Sequence, residues 1–315
     1  MAEARISFLT KKFFLFLGLG LAVFLGLSLY GNWPLVVGAF EGFSYVSLPA
    51  ILALVFLNYL SRFWRWGLYL NRVGIFLPRR ESFTIFMSGL AMTVTPGKMG
   101  ELIKSVLLKE RYEVPISRSA PVVLAERFTD LLAVYVLVLA GSASLAFGAK
   151  ILWLGTIVLI AGLLPFISEG TFRFSLRLVE RIPWGSKLKG SIPEAFHTLH
   201  DLMGFKILFW ASVIGITAWF FECLAFALVF YGLGWPVPLA KATFIYAFAT
   251  LAGALSMLPG GIGAAEASLT GLLLLIQVPK AQAAAATILI RICTVWFAVL
   301  LGYGFLRLFQ RRLRP

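Results

Sequence analysis

The sequence predicts an all-α integral membrane protein with six transmembrane helices, two re-entrant helical hairpins, and both termini in the cytoplasm. Its composition is the first observation: 60 % of the 315 residues are hydrophobic, 13 % are charged, and the mean hydropathy is +0.91. A soluble domain is about half apolar and about a quarter charged, so lipid must be the main solvent of this chain. Six long apolar runs and two shorter runs that are interrupted at Pro-Gly are the other observations.

Six apolar runs are long enough to cross a membrane. A helix needs about 20 apolar residues to cross a bilayer core of about 30 Å. No small-residue cleavage site follows the first run, so we expect a helix there rather than a signal peptide. The six runs lie at about 13–30, 48–70, 119–147, 151–167, 206–231 and 281–309.

Two shorter apolar runs, at 83–95 and 243–258, end at similar breaks. The first break reads Pro96-Gly-Lys-Met-Gly100 and the second reads Pro259-Gly-Gly-Ile-Gly263. Irregular backbone at membrane depth is tolerated only where protein buries it or where it lines a wet cavity. We therefore expect two hairpins that enter the membrane and return, and two kinked spanning helices are the alternative. The second arms of the hairpins lie at 101–109 and 264–277.

The distribution of Lys and Arg favours hairpins that do not cross. With the N terminus in the cytoplasm, the basic 71–82 loop, the amphipathic linker at about 168–205 and the basic C-terminal tail all lie on the cytoplasmic side. The loops on the outer side then hold Lys150, Lys241 and Lys280 alone. Such a split obeys the positive-inside rule, whereas a crossing hairpin would mix the basic loops between the two sides.

The chain contains one unit twice, at about 1–147 and 148–315, within a single domain of residues 1–315. Three crossings separate the hairpins, and an odd number inverts the second copy, so we predict an inverted 3+3 repeat. Secondary transporters use such repeats, with broken helices that meet near the midplane. The matching elements are Gly74-Ile-Phe-Leu-Pro78, the Pro96 break, Val114-Pro115 and Arg127 in the first copy, and Gly232-Leu-Gly-Trp-Pro236, the Pro259 break, Val278-Pro279 and Arg291 in the second.

Charged residues inside the apolar runs are candidate functional residues, because each costs about 2.5–3.5 kcal/mol to place in a membrane. Arg127 and Arg291 are the best candidates for binding a phosphate, which a guanidinium can hold with two hydrogen bonds. Backbone N–H groups and a helix N-terminus at each hairpin tip add to such an anion site. The alternative is that the two arginines pair structurally with Glu126, Asp130, Glu222 or Glu266. Both can hold, since a carboxylate can release its arginine when a phosphate arrives. The predicted substrate-binding residues are Gly97, Lys98, Gly100, Arg127, Gly260, Gly263 and Arg291, beside the hairpin breaks at Pro96 and Pro259.

Acidic residues near the hairpin tips are candidates for binding a coupling proton or cation. Glu101 and Glu266 both follow the tip glycines. The alternative is local pairing, such as that of Glu101 with Lys104 at i,i+3. Lys98 has no counterpart in the second copy, where Gly261 takes its place. The full set of candidates for coupling or for ion pairing is Glu101, Glu126, Asp130, Glu222 and Glu266.

Several other polar residues have simpler interpretations. Arg62 and Arg65 lie among tryptophans near the end of a run, so we expect them to snorkel to the membrane interface. His197-x-x-His200 has the spacing of a helical metal site, but it lies in the amphipathic linker, and no metal is expected. Cys223 and Cys293 lie inside apolar runs and are expected to be small buried hydrophobic residues rather than a disulfide.

The composition also excludes some classes of function. The net charge of +14 does not indicate nucleic-acid binding, because the basic residues lie between apolar runs, where lipid headgroups explain them. No nucleotide-binding loop, nucleophile elbow or zinc-protease pattern is present in the sequence. We therefore expect no cofactor and no catalytic activity. The expected partner is a membrane phospholipid or another phosphate-bearing lipid, and a homodimer stays open.

The two Pro-Gly motifs carry a resemblance to a known family. The residues concerned are Thr95-Pro-Gly-Lys-Met-Gly-Glu101, Ala125-Glu-Arg127 with Asp130, and Leu258-Pro-Gly-Gly-Ile-Gly263 with Glu266. With them the chain resembles, over nearly its whole length, the lysylphosphatidylglycerol synthase transmembrane region family, also called the flippase-like domain family or UPF0104. The resemblance implies a lipid-translocating membrane domain. In the aminoacyl-phosphatidylglycerol members a synthase domain follows, and this chain stops at Pro315, so aminoacyl transfer is not expected.

These observations together predict a lipid flippase or transporter in the inner or plasma membrane of a bacterium or archaeon. It would move a phosphate-bearing lipid between leaflets by alternating access, without ATP. Two other classes stay open. One is a membrane enzyme, or a subunit of one, that modifies phospholipids or polyprenyl-phosphate lipids, and the other is a secondary transporter of ions or small metabolites.

Overall fold

The computed structural model describes residues 18–143, 156–157, 170–171 and 192–313, and all regular structure in these residues is helical. The predicted run at 151–167 and most of the linker at 168–205 lie outside the described residues. One π-helical turn, Ile292–Trp296, joins the last two helices. The helices are α1 (Gly18–Tyr30), α2 (Trp33–Glu41), α3 (Leu48–Arg72), α4 (Arg79–Leu90), α5 (Ile103–Tyr112), α6 (Ile116–Ser142), α7 (Ile192–Leu202), α8 (Phe205–Gly232), α9 (Leu239–Leu255), α10 (Ala264–Leu275), α11 (Lys280–Arg291) and α12 (Phe297–Leu313).

Three described helical segments are long and apolar enough to cross a membrane: Tyr45–Arg72, Phe205–Gly232 and Lys280–Arg311. A fourth is added if α1 and α2, which bend by 100° relative to each other, form one broken span. The 27 residues of α6 reach about 40 Å, but this helix carries four charged side chains. The membrane class is confirmed, and the number of crossings stays a prediction.

Both predicted Pro-Gly breaks are present. Helix α4 ends at Leu90 and α5 begins at Ile103, with a 3-10 segment, Pro96–Leu102, between them. The second break lies between α9 and α10 and contains the 3-10 turn Pro259–Gly261. In each hairpin the two arms contact one another, so the chain folds back at the break. The two 3-10 tips also contact each other, which brings the breaks of both copies to one place.

The connection before each hairpin has the same backbone geometry in both copies. Gly74 and Gly234 both have φ 68 and close the preceding helix, while Pro78 and Pro238 cap α4 and α9 with φ −56 and −53. The predicted match of Gly74 with Gly232 is therefore wrong by two residues. Residue 232 still belongs to α8, and the matching segment is 234–238 rather than 232–236. The helix-closing residue needs a left-handed backbone, and that requirement sets the register.

The connection after each hairpin matches as well. Pro115 and Pro279 both precede a helix with φ −59, and Glu113 and Gln277 have φ 58 and 65. Arg127 and Arg291 each lie twelve residues beyond these prolines. The two arginines therefore lie at the same position relative to the start of their helices, and inversion of the copies across a membrane stays a prediction.

The core is formed where helices of one copy pack against helices of the other. Helices α3 and α8 pack along each other, α6 packs on α9, and α12 packs on α4. Glycines allow the close approaches: a Cβ at Gly141 would lie 2.8 Å from the backbone nitrogen of Phe244. At the tips, a Cβ at Gly260 would lie 3.0 Å from Val94 Cγ1. Each copy therefore holds the hairpin of the other.

Candidate functional site

A cavity of about 450 Å³ lies where the two hairpin tips meet α3, α6, α8, α9 and the α11–α12 helix pair. Its wall combines apolar and small residues with four cationic side chains and two carboxylates. The excess of cations suits a negatively charged ligand. The charged lining residues are Arg62, Lys98, Arg127, Asp130, Glu222 and Arg291.

Arg62 is the main residue that the sequence interpretation missed. The expected snorkelling of Arg62 and Arg65 is wrong, because they are 3 % and 0 % exposed. Arg65 Nη2 donates to Asp130 Oδ1 at 2.5 Å. The available signal was the spacing of Asn58, Arg62, Arg65 and Tyr69, which places four polar side chains on one face of α3.

The Arg62 guanidinium has donors without acceptors. Its Nη2 lies 3.7 Å from Glu101 Oε1 and 3.9 Å from Asp130 Oδ2, beyond hydrogen-bond distance. Within the described residues, neither Nη2 nor Nε of Arg62 has a hydrogen-bond partner. Buried polar groups are normally satisfied, so these donors in the cavity wall are available to water or to an anion inside the cavity.

Arg127 is held by two carboxylates. Its Nη2 lies 3.1 Å from Glu101 Oε2 and 3.1 Å from Asp130 Oδ2, and its Nε has no acceptor among the described residues. The predicted pairing with Asp130 is confirmed, and Glu101 is a further partner. Glu126, another of the four carboxylates considered, instead accepts from Lys104 Nζ at 2.5 Å. Lys104 also lies 3.4 Å from Glu101, which confirms the local i,i+3 pair.

Arg291 ties the second hairpin tip to α11. Its Nε donates to Glu266 Oε1 at 2.6 Å and its Nη2 donates to the Gly260 carbonyl at 2.7 Å. Glu266 in turn accepts from the Gly263 N–H at 2.7 Å. The predicted pairing of Arg291 with Glu266 is confirmed. Nε and Nη2 of Arg291 therefore both donate to the protein, whereas the same two atoms of Arg62 have no acceptor among the described residues.

The tip glycines divide into two groups. Gly97 and Gly260 line the cavity. The N–H of Gly100 donates to Thr95 Oγ1 at 2.7 Å, and that of Gly263 donates to Glu266. Since both N–H groups already have acceptors inside the protein, we remove Gly100 and Gly263 from the candidate anion site. Pro96 and Pro259 lie at the predicted breaks, and each is the first residue of a 3-10 segment. They shape the backbone of the two tips.

Lys98 reaches across the cavity from the first tip. Its Nζ lies 5.3 Å from the centre of the Trp219 ring, and no carboxylate in the described part of the chain lies within 4.0 Å of it. Trp219 Nε1 donates to Asp130 Oδ1 at 3.1 Å, which fixes the ring. Lys98 also has φ 55, in the left-handed region that favours glycine. A lysine in this conformation, where the other copy has Gly261, points to a function for its charge.

Glu222 is buried in α8 and has a hydroxyl partner instead of a cation. Its Oε2 accepts from the Tyr246 hydroxyl at 2.5 Å. Glu222 was one of the four carboxylates considered as arginine partners, but no arginine or lysine of the described residues lies within 4.0 Å of it. Glu222 from α8 and Tyr246 from α9 both line the cavity.

The cavity wall also reaches the apolar surface of the protein. Leu255, Met257 and Leu258 line it, and these side chains are 46 %, 60 % and 44 % exposed. Exposed apolar side chains beside a buried cationic centre suit a ligand that has an anionic head and an apolar body. No cluster of three or more metal-ligating side chains occurs among the described residues, which include His197 and His200.

Comparison with known proteins gives consistent matches over most of the chain. Residues 15–302 match the family model of the lysylphosphatidylglycerol synthase transmembrane region. A UPF0104 membrane protein of Methanothermobacter thermautotrophicus is 26 % identical over 312 residues, which is 93 % of this chain and 92 % of that relative. A second UPF0104 membrane protein of the same organism is 23 % identical over 283 residues, 82 % of this chain and 83 % of the relative.

Proposed function

Since the chain belongs to the lysylphosphatidylglycerol synthase transmembrane region family, we propose that it moves a phosphate-bearing lipid between the two leaflets of the cell's inner or plasma membrane. The family itself indicates a membrane protein with a lipid-related function. One observation supports the finer proposal: cationic groups that have no acceptor among the described residues, Arg62 above all, line a cavity beside exposed apolar side chains.

The phosphate is held mainly by side chains of the first copy. Arg62 offers Nε and Nη2, Arg127 offers Nε, and Lys98 offers an ammonium group without a carboxylate partner in the described residues. Guanidinium groups bind phosphate oxygens with paired, charge-assisted hydrogen bonds. Such a site replaces the water that the headgroup loses on leaving the membrane surface, which is otherwise the main barrier to flipping.

The acyl chains stay in the bilayer during movement. The exposed Leu255, Met257 and Leu258 form an apolar rim between the cavity and the surroundings. Only the headgroup then needs to enter the protein, which explains why a cavity of about 450 Å³ suffices.

Alternating exposure of the cavity would come from movement of the two matched copies. Broken helices that meet at one place are typical of transporters whose repeats rock around a central site. The sequence contains no nucleotide-binding loop, so a lipid gradient or a coupled ion would supply the direction.

The test is reconstitution of the protein in liposomes that contain a fluorescent phospholipid, with an added quencher to report the outer leaflet. We expect the Arg62→Ala/Arg127→Ala variant to flip the lipid at least about tenfold more slowly, since each lost charge-assisted hydrogen bond costs about 1.5–3 kcal/mol. Arg307→Ala is the matched control, because Arg307 is exposed and outside the cavity wall. Equal rates for the double variant and wild type would refute the phosphate site.

A further inference from the structure

We infer that Glu222 and the Tyr246 hydroxyl form a proton-binding site through which a proton accompanies the lipid. The inference rests on the proposed function and adds the coupling ion and its residue. The predicted coupling candidates at the tips, Glu101 and Glu266, are both engaged in ion pairs with arginine. The structure therefore moves the proposed coupling site from the tips to α8.

Glu222 differs from the other buried acidic residues in the type of side chain that it contacts. The described residues contain five buried carboxylates, and four of them have a cationic partner within 3.1 Å. Glu222 has the Tyr246 hydroxyl instead, at 2.5 Å. The four ion pairs are Glu101–Arg127, Glu126–Lys104, Asp130–Arg65 and Glu266–Arg291.

A buried carboxylate without a cation is the group best suited to bind a proton. An isolated charge in an apolar interior is costly, and protonation of the carboxylate removes that charge. The protonated acid remains satisfied here, because one oxygen accepts from Tyr246 while its own O–H can face the cavity. The ion-paired carboxylates gain nothing from protonation, because it would leave their arginine or lysine partners unpaired.

The charges around Glu222 link proton binding to phosphate binding. The charged and titratable groups that face it are Arg62 and Tyr59 from α3, Lys98 from the first tip, Asp130 from α6 and Tyr246 from α9. Arg62 and Lys98 favour the ionised carboxylate. A phosphate bound to these two cations would cancel their charge and so favour the protonated acid. By linkage, proton and phosphate strengthen each other's binding, so both cross in the same direction.

The first test is flipping in proteoliposomes with and without a pH difference across the membrane. At one proton per lipid, one pH unit supports up to about a tenfold ratio of labelled lipid between the leaflets. We expect wild type to accumulate lipid on the alkaline side and Glu222→Gln to leave the ratio near about one. Glu110→Gln, on an exposed part of α5, is the matched control and keeps the wild-type ratio.

This experiment separates the two proposals. If wild type flips lipid but the pH difference does not change the ratio, the proton site is wrong and the proposed function stands. If wild type does not flip any labelled phosphate-bearing lipid, the proposed function is wrong, and a second measurement still decides the proton site.

That measurement is infrared difference spectroscopy of the purified protein between acidic and alkaline pH. The expected result is a carboxylic-acid C=O band that is absent from Glu222→Gln and shifted in Tyr246→Phe, because the hydrogen bond is lost. Glu110→Gln should leave the band unchanged. A spectrum in which Glu222→Gln and wild type show the same band overturns the inference, whatever the transport assay gives.

Discussion

Arg62 and Glu222 occupy equivalent positions in the two copies, each twelve residues before the helix-closing glycine, and they face one cavity with opposite charges. The connections around the two hairpins have matching backbone angles, but this pair makes their contributions to the cavity chemically different. Lys98 and Gly261 add to the difference. In our proposals the first copy binds the phosphate and the second copy binds the proton, so the two halves have separate tasks.

Arg62 should determine binding of a phosphate-bearing lipid. We expect a short-chain phosphatidylglycerol to raise the melting temperature of the detergent-solubilised wild type, because a ligand of the folded state stabilises it. Arg62→Ala should lose this shift, and Arg62→Lys should keep part of it, since lysine retains the charge but not the fork. Diacylglycerol, which lacks the phosphate, is the control ligand. An unchanged shift in Arg62→Ala would contradict the assignment of this residue.

We expect the strained backbone of Lys98 to lower the melting temperature of the protein, and its charge to be needed for lipid flipping. Its backbone has φ 55, and a left-handed backbone costs a non-glycine residue about 1–2 kcal/mol. Lys98→Gly is therefore expected to raise the melting temperature and to slow lipid flipping. Both quantities can be measured on the same preparation.

A matched control exists for the substitution at Lys98. Ser105→Gly replaces a residue inside α5, where glycine lowers stability by about 0.5–1 kcal/mol. A Lys98→Gly protein that is less stable, or that flips lipid as fast as wild type, would argue against a functional reason for the strained lysine.

The Arg291–Glu266 pair should stabilise the second hairpin tip. Removing one partner of a buried ion pair leaves the other charge unsatisfied and costs about 3–5 kcal/mol. Arg291→Ala and Glu266→Ala should each lower the melting temperature strongly, and the double variant should lose much less than the sum of the two. Thermal unfolding of the four proteins gives the coupling energy. If the losses of stability in the two single variants add up in the double variant, the Arg291–Glu266 contact at 2.6 Å contributes little to stability.

Local backbone requirements in this protein are visible in its sequence. The Pro-Gly breaks and the lengths of the apolar runs predicted the two broken hairpins and the membrane class. The register before the hairpins was missed by two residues, because Gly232 and Gly234 both fit the motif. Only Gly234 has the left-handed backbone that closes α8.

Ion pairs between residues far apart in the sequence were harder to predict. Glu266 was one of four carboxylates considered as partners for the two arginines, and only the structure shows that it pairs with Arg291, 25 residues further on. Arg62, by contrast, was assigned to the interface because tryptophans surround it in the chain. Its neighbours in space come from α6 and from the first hairpin tip, far away in sequence.

Composition and backbone stereochemistry, which are local properties of the chain, predicted the membrane class, the positions of the breaks and most of the buried charges, though not Arg62 and Arg65. Tertiary structure decided which of those charges are neutralised. Among the described residues, four buried carboxylates pair with cations, Glu222 accepts a hydrogen bond from Tyr246, and Nε and Nη2 of Arg62 have no acceptor. An ion pair depends on atoms within a few ångströms, and only the packing of α3, α6, α8 and α9 around the two tips brings those atoms together.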